Sequence, residues 1–264
     1  MNDGSETSTP RDLAGEAFWE DEWKRKNTLV KVNFKNYSQG RFDQLFSKYL
    51  SGTKGIRLIE IGCARSIWLP YFQMKFGCEL FGLDYSETGC VLAEENLKRQ
   101  NVKGIILCRN VFDDNKDLQE SFGAVFSYGV VEHFDPLDSI LRKFYGFCRP
   151  GGIVITVIPN MNGFTGRLQR WVNRNVYEKH LVITDGEFKA AHQRSGFVTM
   201  ECHYMGSIAT EVVNYPPHPG LELRVLRKIL KKITKICWVG FRFFRVHPES
   251  KLFSPYIVYV GIKK

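Results

Sequence analysis

IRLIEIG (56–62), CARSIWLPYFQMKFG (63–77) and CELFGLDYS (78–86) together form the stretch that decides the fold. A short run rich in Ile and Leu ends in Gly62, and small residues follow it. WLPYFQMKFG (68–77) then reads as a helix with Pro70 in its first turn, where the missing N–H costs nothing. A second β-rich run ends in Asp84. Strand, tight turn, helix and strand make a βαβ unit, which places two parallel strands in one sheet with the helix across its face.

The same alternation continues outward. ETGCVLAEENLKRQN (87–101) is a helix with apolar positions at 91, 92 and 97, and GIILCRN (104–110) is a third strand. SFGAVFSYG (121–129) is a fourth strand. PLDSILRKFYGFCRPGG (136–152) is a helix stopped by Pro150-Gly151-Gly152, and IVITVIPN (153–160) is a fifth strand. Five strand–helix repeats predict a mostly parallel sheet wound on both faces. Upstream, GRFDQLFSKYL (40–50) has one buried helical face, and Trp19 and Trp23 stand at i,i+4 spacing. Downstream, 161–180 reads as a loop and a basic helix, DGEFKAAHQRSGF (185–197) as a helix, VTMECHYMG (198–206) as a strand and SPYIVYVGIKK (254–264) as a closing strand.

Composition narrows the classes. The chain has 264 residues, 44% hydrophobic and 25% charged, so disorder throughout is excluded and one large α/β domain fits. Glycines and prolines follow no period, which excludes collagen-like and repeat folds. No segment reads as a transmembrane helix, and MNDGSETSTP (1–10) is polar, without the apolar core of a secretory signal. Residues 1 to about 15 are expected to be loose. The seven cysteines include no Cys-x-x-Cys pair, so neither a disulfide framework nor a structural metal site is expected, and a reducing cytoplasmic location fits.

Charge is concentrated. Eight Lys/Arg against one acid between 221 and 245 supply +7 of the chain's +9. The remainder is nearly neutral, so the basic pI does not imply nucleic-acid binding. Within that segment apolar residues at 226, 229, 230, 233, 236 and 237 have helical spacing. Three uses compete: cover for the core, peripheral contact with an anionic membrane, or a clamp on an acidic substrate.

Open sheets of this kind bind ligands beyond the carboxyl ends of their strands, where the strand order reverses. Gly62 lets a ligand approach the backbone, and the Asp84 carboxylate at the end of the next strand can accept both hydroxyls of a ribose. Each residue also has an ordinary structural role open to it: Glu60 as partner of the following helix, Asp84 as the cap of the helix at 87. A dinucleotide fingerprint requires Gly-x-Gly-x-x-Gly; this chain has Gly62, Ala64 and Ile67, and Ile67 is too bulky for a pyrophosphate turn. A nucleoside cofactor without phosphates fits better.

At these residues the chain resembles the class I S-adenosylmethionine-dependent methyltransferases, over roughly residues 56–264. EIGCARS is similar to the family's glycine motif, LFGLDYS to its ribose motif, LCRNVFD to its adenine motif, and FSYGVVEHFDP followed by RPGGIVITVIPN to the segments around its fourth and fifth strands. The resemblance implies a Rossmann-like, doubly wound α/β fold with a mostly parallel seven-stranded sheet and an antiparallel last strand. Residues 1–50 would be a polar tail and cap helices, and 51–264 the methyltransferase domain, with 161–182 and 207–253 as substrate-side insertions. It implies S-adenosyl-L-methionine as cofactor, held by Glu60, Gly62, Cys63, Asp84, Tyr85, Asn110, Val111, Ser127 and Tyr128, with no metal. His133, after the fourth strand, is the first candidate for a general base, and the other reading of it is a packing residue. Trp19 and Trp23 either cap the cofactor or staple their helix to the core; Arg167, Tyr177 and His180 either shape the acceptor pocket or lie on a solvated helix. Ala64 and Asn110 depart from the family pattern. The reading is O-methylation of a small molecule or glycan in the cytoplasm, with membrane contact through 221–245. The alternatives are N-methylation and a cofactor-binding protein without catalysis.

Overall fold

The computed structural model describes residues 10–26, 28 and 31–264. Residues 1–9 of the expected loose tail lie outside the described residues. Arg11–Asp12, also within that expected tail, instead pair antiparallel with Phe134–Asp135.

The central sheet has seven strands: β1 (Arg57–Ile61), β2 (Glu79–Asp84), β3 (Gly104–Cys108), β4 (Phe122–Tyr128), β5 (Cys148–Pro159), β6 (Val198–Met205) and β7 (Tyr256–Ile262). Their order across the sheet is β3-β2-β1-β4-β5-β7-β6. β7 runs antiparallel to both neighbours, and the pairs from β3 to β5 are parallel, as the resemblance implied. The order reverses between β1 and β4, which opens a crevice at their carboxyl ends.

Helices cover both faces. α1 (Glu16–Arg25) lies at the crevice; α2 (Tyr37–Leu50), α3 (Trp68–Phe76) and α4 (Glu87–Arg99) pack on one face. α5 (Leu137–Phe147) and α8 (Asp185–Arg194) pack on the other. Between them run α6 (Phe164–Val172) and α7 (Arg174–Tyr177). Pleating assigns Ala124 and Phe126 to the α2–α4 side and Val125 to the α5–α8 side; Phe122, ahead of a register shift, also faces α5–α8. Central strands are buried on both faces, which is why they read as apolar runs without alternation.

Two local expectations change. α5 stops at Phe147, and Arg149-Pro150-Gly151-Gly152 already belongs to β5, whose Cys148 pairs with Phe122 before the register shifts. The PGG therefore shapes a strand irregularity and not a helix end; Gly151 takes φ 71, open to glycine without strain. Between β3 and β4 there is one 3-10 turn, Lys116–Leu118, where the third of the five expected strand–helix repeats would carry a helix.

The basic segment forms α9 (Leu221–Phe243). Only Thr234 and Trp238 are fully buried on it; Trp238 Nε1 donates to the Ile208 carbonyl (2.9 Å), and Thr234 shares a hydrogen bond with Thr210 (3.0 Å). Leu221, Val225, Ile229, Ile233, Ile236, Val239 and Phe243 are exposed. The expected single apolar face divides: Leu226, Leu230 and Cys237 turn toward the body, while Ile229, Ile233 and Ile236 turn out.

Candidate active site

The crevice holds a cleft of about 290 Å³, lined by the β1–α3 turn, the ends of β2 and β4, α1 and the start of α2. Ser66 organises the turn: its hydroxyl accepts from the N–H groups of Trp68 (3.0 Å) and Leu69 (3.1 Å) and donates to Glu60 Oε2 (2.6 Å). One side chain thus caps α3 and fixes Glu60. Gly62 sits at φ 75, and a Cβ there would lie 2.3 Å from Val130 Cγ2, so only glycine fits. Ala64 avoids the left-handed region, which falls on Arg65 (φ 54), so the departure from a glycine at 64 is tolerated. Close packing is supplied instead from the partner helix: a Cβ on Gly89 would lie 2.6 Å from the Ala64 Cβ.

Asp84 accepts from the Ala64 N–H through Oδ2 (2.9 Å) and from the Ser86 N–H through Oδ1 (3.0 Å). A carboxylate has about four acceptor sites, so two remain for a ligand. The cap of α4 is Ser86 and not Asp84, since Ser86 Oγ accepts from the Gly89 N–H (2.9 Å). Burial pushes the Glu60 carboxyl up to about 8 and the Asp84 carboxyl up to about 6.

Glu60, Gly62, Asp84, Tyr85, Tyr128 and His133 all line this cleft. Four other expected cofactor residues do not. Cys63 packs its side chain into the core, Val111 is buried under the loop after β3, and Ser127 is enclosed on the opposite side of β4 from Tyr128. Asn110 is exposed, and its Oδ1 closes a turn by accepting from the Phe112 N–H (2.9 Å). Trp19 and Trp23 stack with centroids 5.5 Å apart and line the cleft from α1, which Glu20 ties to Ser86 and Thr88. Asn36, Gln39, Arg65 and Tyr256 also reach the cleft and were not expected there. Three of these come from elements distant in sequence, and Arg65 carries no chemical signature in its motif.

A second chamber of about 520 Å³ adjoins the cleft and shares Trp19, Trp23, Tyr128 and His133 with it. Its far wall is built from Met161, Thr165, Gly166, Gln169, His180 and Glu211 to Asn214, so both expected insertions contribute. Of Arg167, Tyr177 and His180, only His180 faces it. At the junction His133 Nδ1 lies 2.6 Å from the Lys179 carbonyl, which can only accept, so Nδ1 carries the proton and Nε2 is bare. Nε2 stands 3.8 Å from Glu132 Oε1. Burial, helped by the neighbouring His180, pushes His133 down to about 3, while burial pushes Glu132 up to about 8.

A family model described as a methyltransferase domain matches residues 34–201, more than half of the chain. The chain belongs to this family. Among curated proteins, the methyltransferase is 24% identical over 180 residues to a ubiquinone biosynthesis O-methyltransferase of Rhodopseudomonas palustris, covering 65% of this chain and 70% of that one. In fold it is similar to phosphoethanolamine N-methyltransferase 2 of Haemonchus contortus (TM-score 0.60, 14% identity), covering 93% of this chain and 58% of that longer one. It is also similar to geranyl diphosphate C-methyltransferase of Streptomyces coelicolor (TM-score 0.58, 14% identity, 86% of this chain and 79% of the other).

S-adenosylmethionine is the cofactor of this methyltransferase. The cleft fits it on its own chemistry. Two buried carboxyls, Glu60 and Asp84, are pushed upward by desolvation, and a cationic sulfonium ligand relieves both. The backbone at Gly62 is bare for close approach, and Trp19, Trp23 and Tyr128 provide apolar cover.

Proposed function

We propose that this methyltransferase O-methylates a small molecule whose hydroxyl lies at the Glu132–His133 corner, where the cofactor cleft meets the chamber. The observation that carries the reading is that corner itself: a fully buried carboxyl without a hydrogen-bond partner among the described residues, beside an imidazole whose Nε2 is bare of them too. His133 Nε2, and Glu132 once it ionises near 8, can accept a proton, which a hydroxyl acceptor needs and a neutral amine does not. When bound, the cofactor supplies a sulfonium-activated methyl group; the acceptor oxygen takes it, and S-adenosylhomocysteine and one proton leave. The protein's part is alignment and exclusion of water. Asp84, Glu60 and the Gly62 backbone hold the cofactor; Trp19 and Trp23 close over it; Tyr128 shares both spaces and sets the boundary between them. With its conjugate acid pushed down to about 3, His133 is a weak base alone, and Glu132, pushed up to about 8, is the stronger proton acceptor of the pair. A chamber of about 520 Å³ suits a small molecule, and the Rhodopseudomonas relative's name supports an oxygen acceptor. A panel of phenolic, alcoholic and amine acceptors with methyl-labelled cofactor tests this: label on oxygen supports the reading, and label on nitrogen alone refutes it.

The membrane is the partner we propose for α9. No described helix is long and apolar enough to cross a bilayer. α9 instead offers an outward apolar stripe beside Lys228, Lys231, Lys232 and Lys235, the pattern of a helix lying in the plane of an anionic surface. Each basic residue near such a surface contributes about 1 kcal/mol. Replacing those four lysines by Gln should abolish sedimentation with anionic vesicles and leave cofactor affinity unchanged. Wild-type protein that ignores such vesicles at low salt refutes membrane docking.

A further inference from the structure

We propose that Glu132, His133 and His180 form a site for one divalent transition-metal ion of the zinc type, with its open positions facing the acceptor chamber. One ligand atom from each residue lies within 4.8 Å of the other two. The two histidines are prepared alike. His133 Nδ1 donates to the Lys179 carbonyl (2.6 Å) and His180 Nδ1 to the Val176 carbonyl (2.7 Å), which leaves both Nε2 lone pairs bare. Metal-ligating histidines almost always have their other ring N–H anchored in this way, because the anchor fixes tautomer and ring orientation.

Glu132 supplies the independent observation. It is 1% exposed, and neither carboxyl oxygen has a hydrogen-bond partner among the described residues. A buried polar group left unpaired is costly, and native structures rarely keep one without a use. The pair distance is also right: His133 Nε2 and Glu132 Oε1 stand 3.8 Å apart. Tetrahedral bonds of ~2.1 Å hold ligand atoms roughly 3.4 Å apart, so a small side-chain adjustment closes this edge.

The donor set selects the ion. Two imidazole nitrogens and one carboxylate oxygen suit zinc, iron, cobalt or manganese; magnesium and calcium prefer oxygen alone. Three protein ligands with open positions is the pattern of a catalytic site, since structural zinc sites close with four. The imidazoles are already in suitable form, and Glu132 must give up its proton as the ion binds. Burial keeps both imidazoles neutral, and a cation's charge offsets the desolvation that holds the Glu132 carboxyl up at about 8. Position completes the argument: all three residues line the chamber and His133 also lines the cofactor cleft. The sequence concealed the group, because Glu132 and His133 are adjacent and His180 comes from a distant segment with no metal motif.

The ion's chemistry rests on the O-methyl reading above; its binding does not. With the ion bound, Glu132 and His133 are its ligands and no longer the proton acceptors; a hydroxyl bound to the ion loses its proton to solvent more readily, the O–H electron pair staying on oxygen. That pair is what forms the new bond to the methyl carbon, while the pair of the breaking carbon–sulfur bond stays on sulfur.

The test uses the full chain, stripped with a chelator and dialysed. Zinc is titrated by calorimetry and cobalt by visible absorption, with S-adenosylhomocysteine binding measured in parallel as the check on folding. We expect one ion per chain, with cobalt bands of a four- or five-coordinate site. Losing an outer-shell partner costs ~10–100-fold in metal affinity, so His180→Ala and Glu132→Gln should each cost at least that much. Their S-adenosylhomocysteine affinity should stay near the wild-type value. If Glu132→Gln fails to fold, the half-buried His180 carries the test. Wild-type chain that binds S-adenosylhomocysteine but no ion overturns the proposal, as do variants that bind the ion like wild type. An ion bound without oxygen methylation supports the site and removes only the O-methyl reading.

Discussion

Glu60→Gln should stabilise the cofactor-free protein, increasingly as pH rises. Burial pushes the Glu60 carboxyl from 4.5 up to about 8, so between those values the folded chain holds a proton that the unfolded chain has released. A carboxyl raised on folding contributes fully below its unfolded pKa, and that contribution is lost as pH climbs to the folded value. Each pH unit in the window withdraws about 1.4 kcal/mol. From 4.5 to pH 7 the loss reaches about 3 kcal/mol, a ceiling because water entering the cleft relaxes part of it. Gln has the shape of the neutral acid and keeps an oxygen for the Ser66 hydroxyl, 2.6 Å away in the wild type. The variant should therefore match wild type near pH 4 and exceed it by up to about 3 kcal/mol at pH 7, or roughly 6–12 °C in Tm. Urea titrations of both proteins at four pH values, without cofactor, measure this directly. A stability difference that stays flat with pH, or a variant weaker than wild type at pH 7, refutes the reasoning. The same variant should bind S-adenosylmethionine less well, because it cannot become an anion.

Asp84→Ala removes the acceptor of two buried N–H groups as well as the ribose partner, so S-adenosylhomocysteine affinity should fall by about 1.5–3 kcal/mol or more; calorimetry showing unchanged affinity in a folded variant contradicts the assignment. Gly62→Ala puts a Cβ 2.3 Å from Val130 Cγ2 at φ 75, and thermal melts should show at least about 1 kcal/mol of destabilisation together with weakened cofactor binding. Cofactor affinity in wild type should rise with pH up to about 8, as binding of a cation draws a proton off Asp84 below about pH 6 and off Glu60 below about pH 8, where their carboxyls sit in the free protein; a pH-independent Kd excludes that coupling.

The sheet was legible because its signals are local. β1, β2 and β4 are apolar runs ended by Gly62, Asp84 and Gly129, and those ends are where a parallel sheet binds ligands. The side of the strand on which a residue falls was less legible. Ser127 and Tyr128 are neighbours on β4, so period-two alternation allows only one of them to face the cleft, and it is Tyr128. The Cys63 side chain was hard to place for a similar reason: it follows Gly62 in the turn, but its sulfur packs toward Gly82 in the core. Asn36, Gln39 and Tyr256 reach the cleft from α2 and β7, and no motif near β1 announces them. On α9 the spacing revealed a helix, but two apolar stripes share it, and only the body of the protein determines which one is covered.

The most direct measurement of the account is the fate of a labelled methyl group. The full chain, S-adenosylmethionine labelled in its methyl group, and a phenolic or alcoholic acceptor are incubated together, and the product is mapped by mass spectrometry and NMR. The account predicts label on the acceptor's oxygen, formed in step with S-adenosylhomocysteine and suppressed in Glu132→Gln under conditions where that variant still binds the cofactor. Label on carbon or nitrogen only, or cofactor binding without turnover on any hydroxyl acceptor, would contradict it.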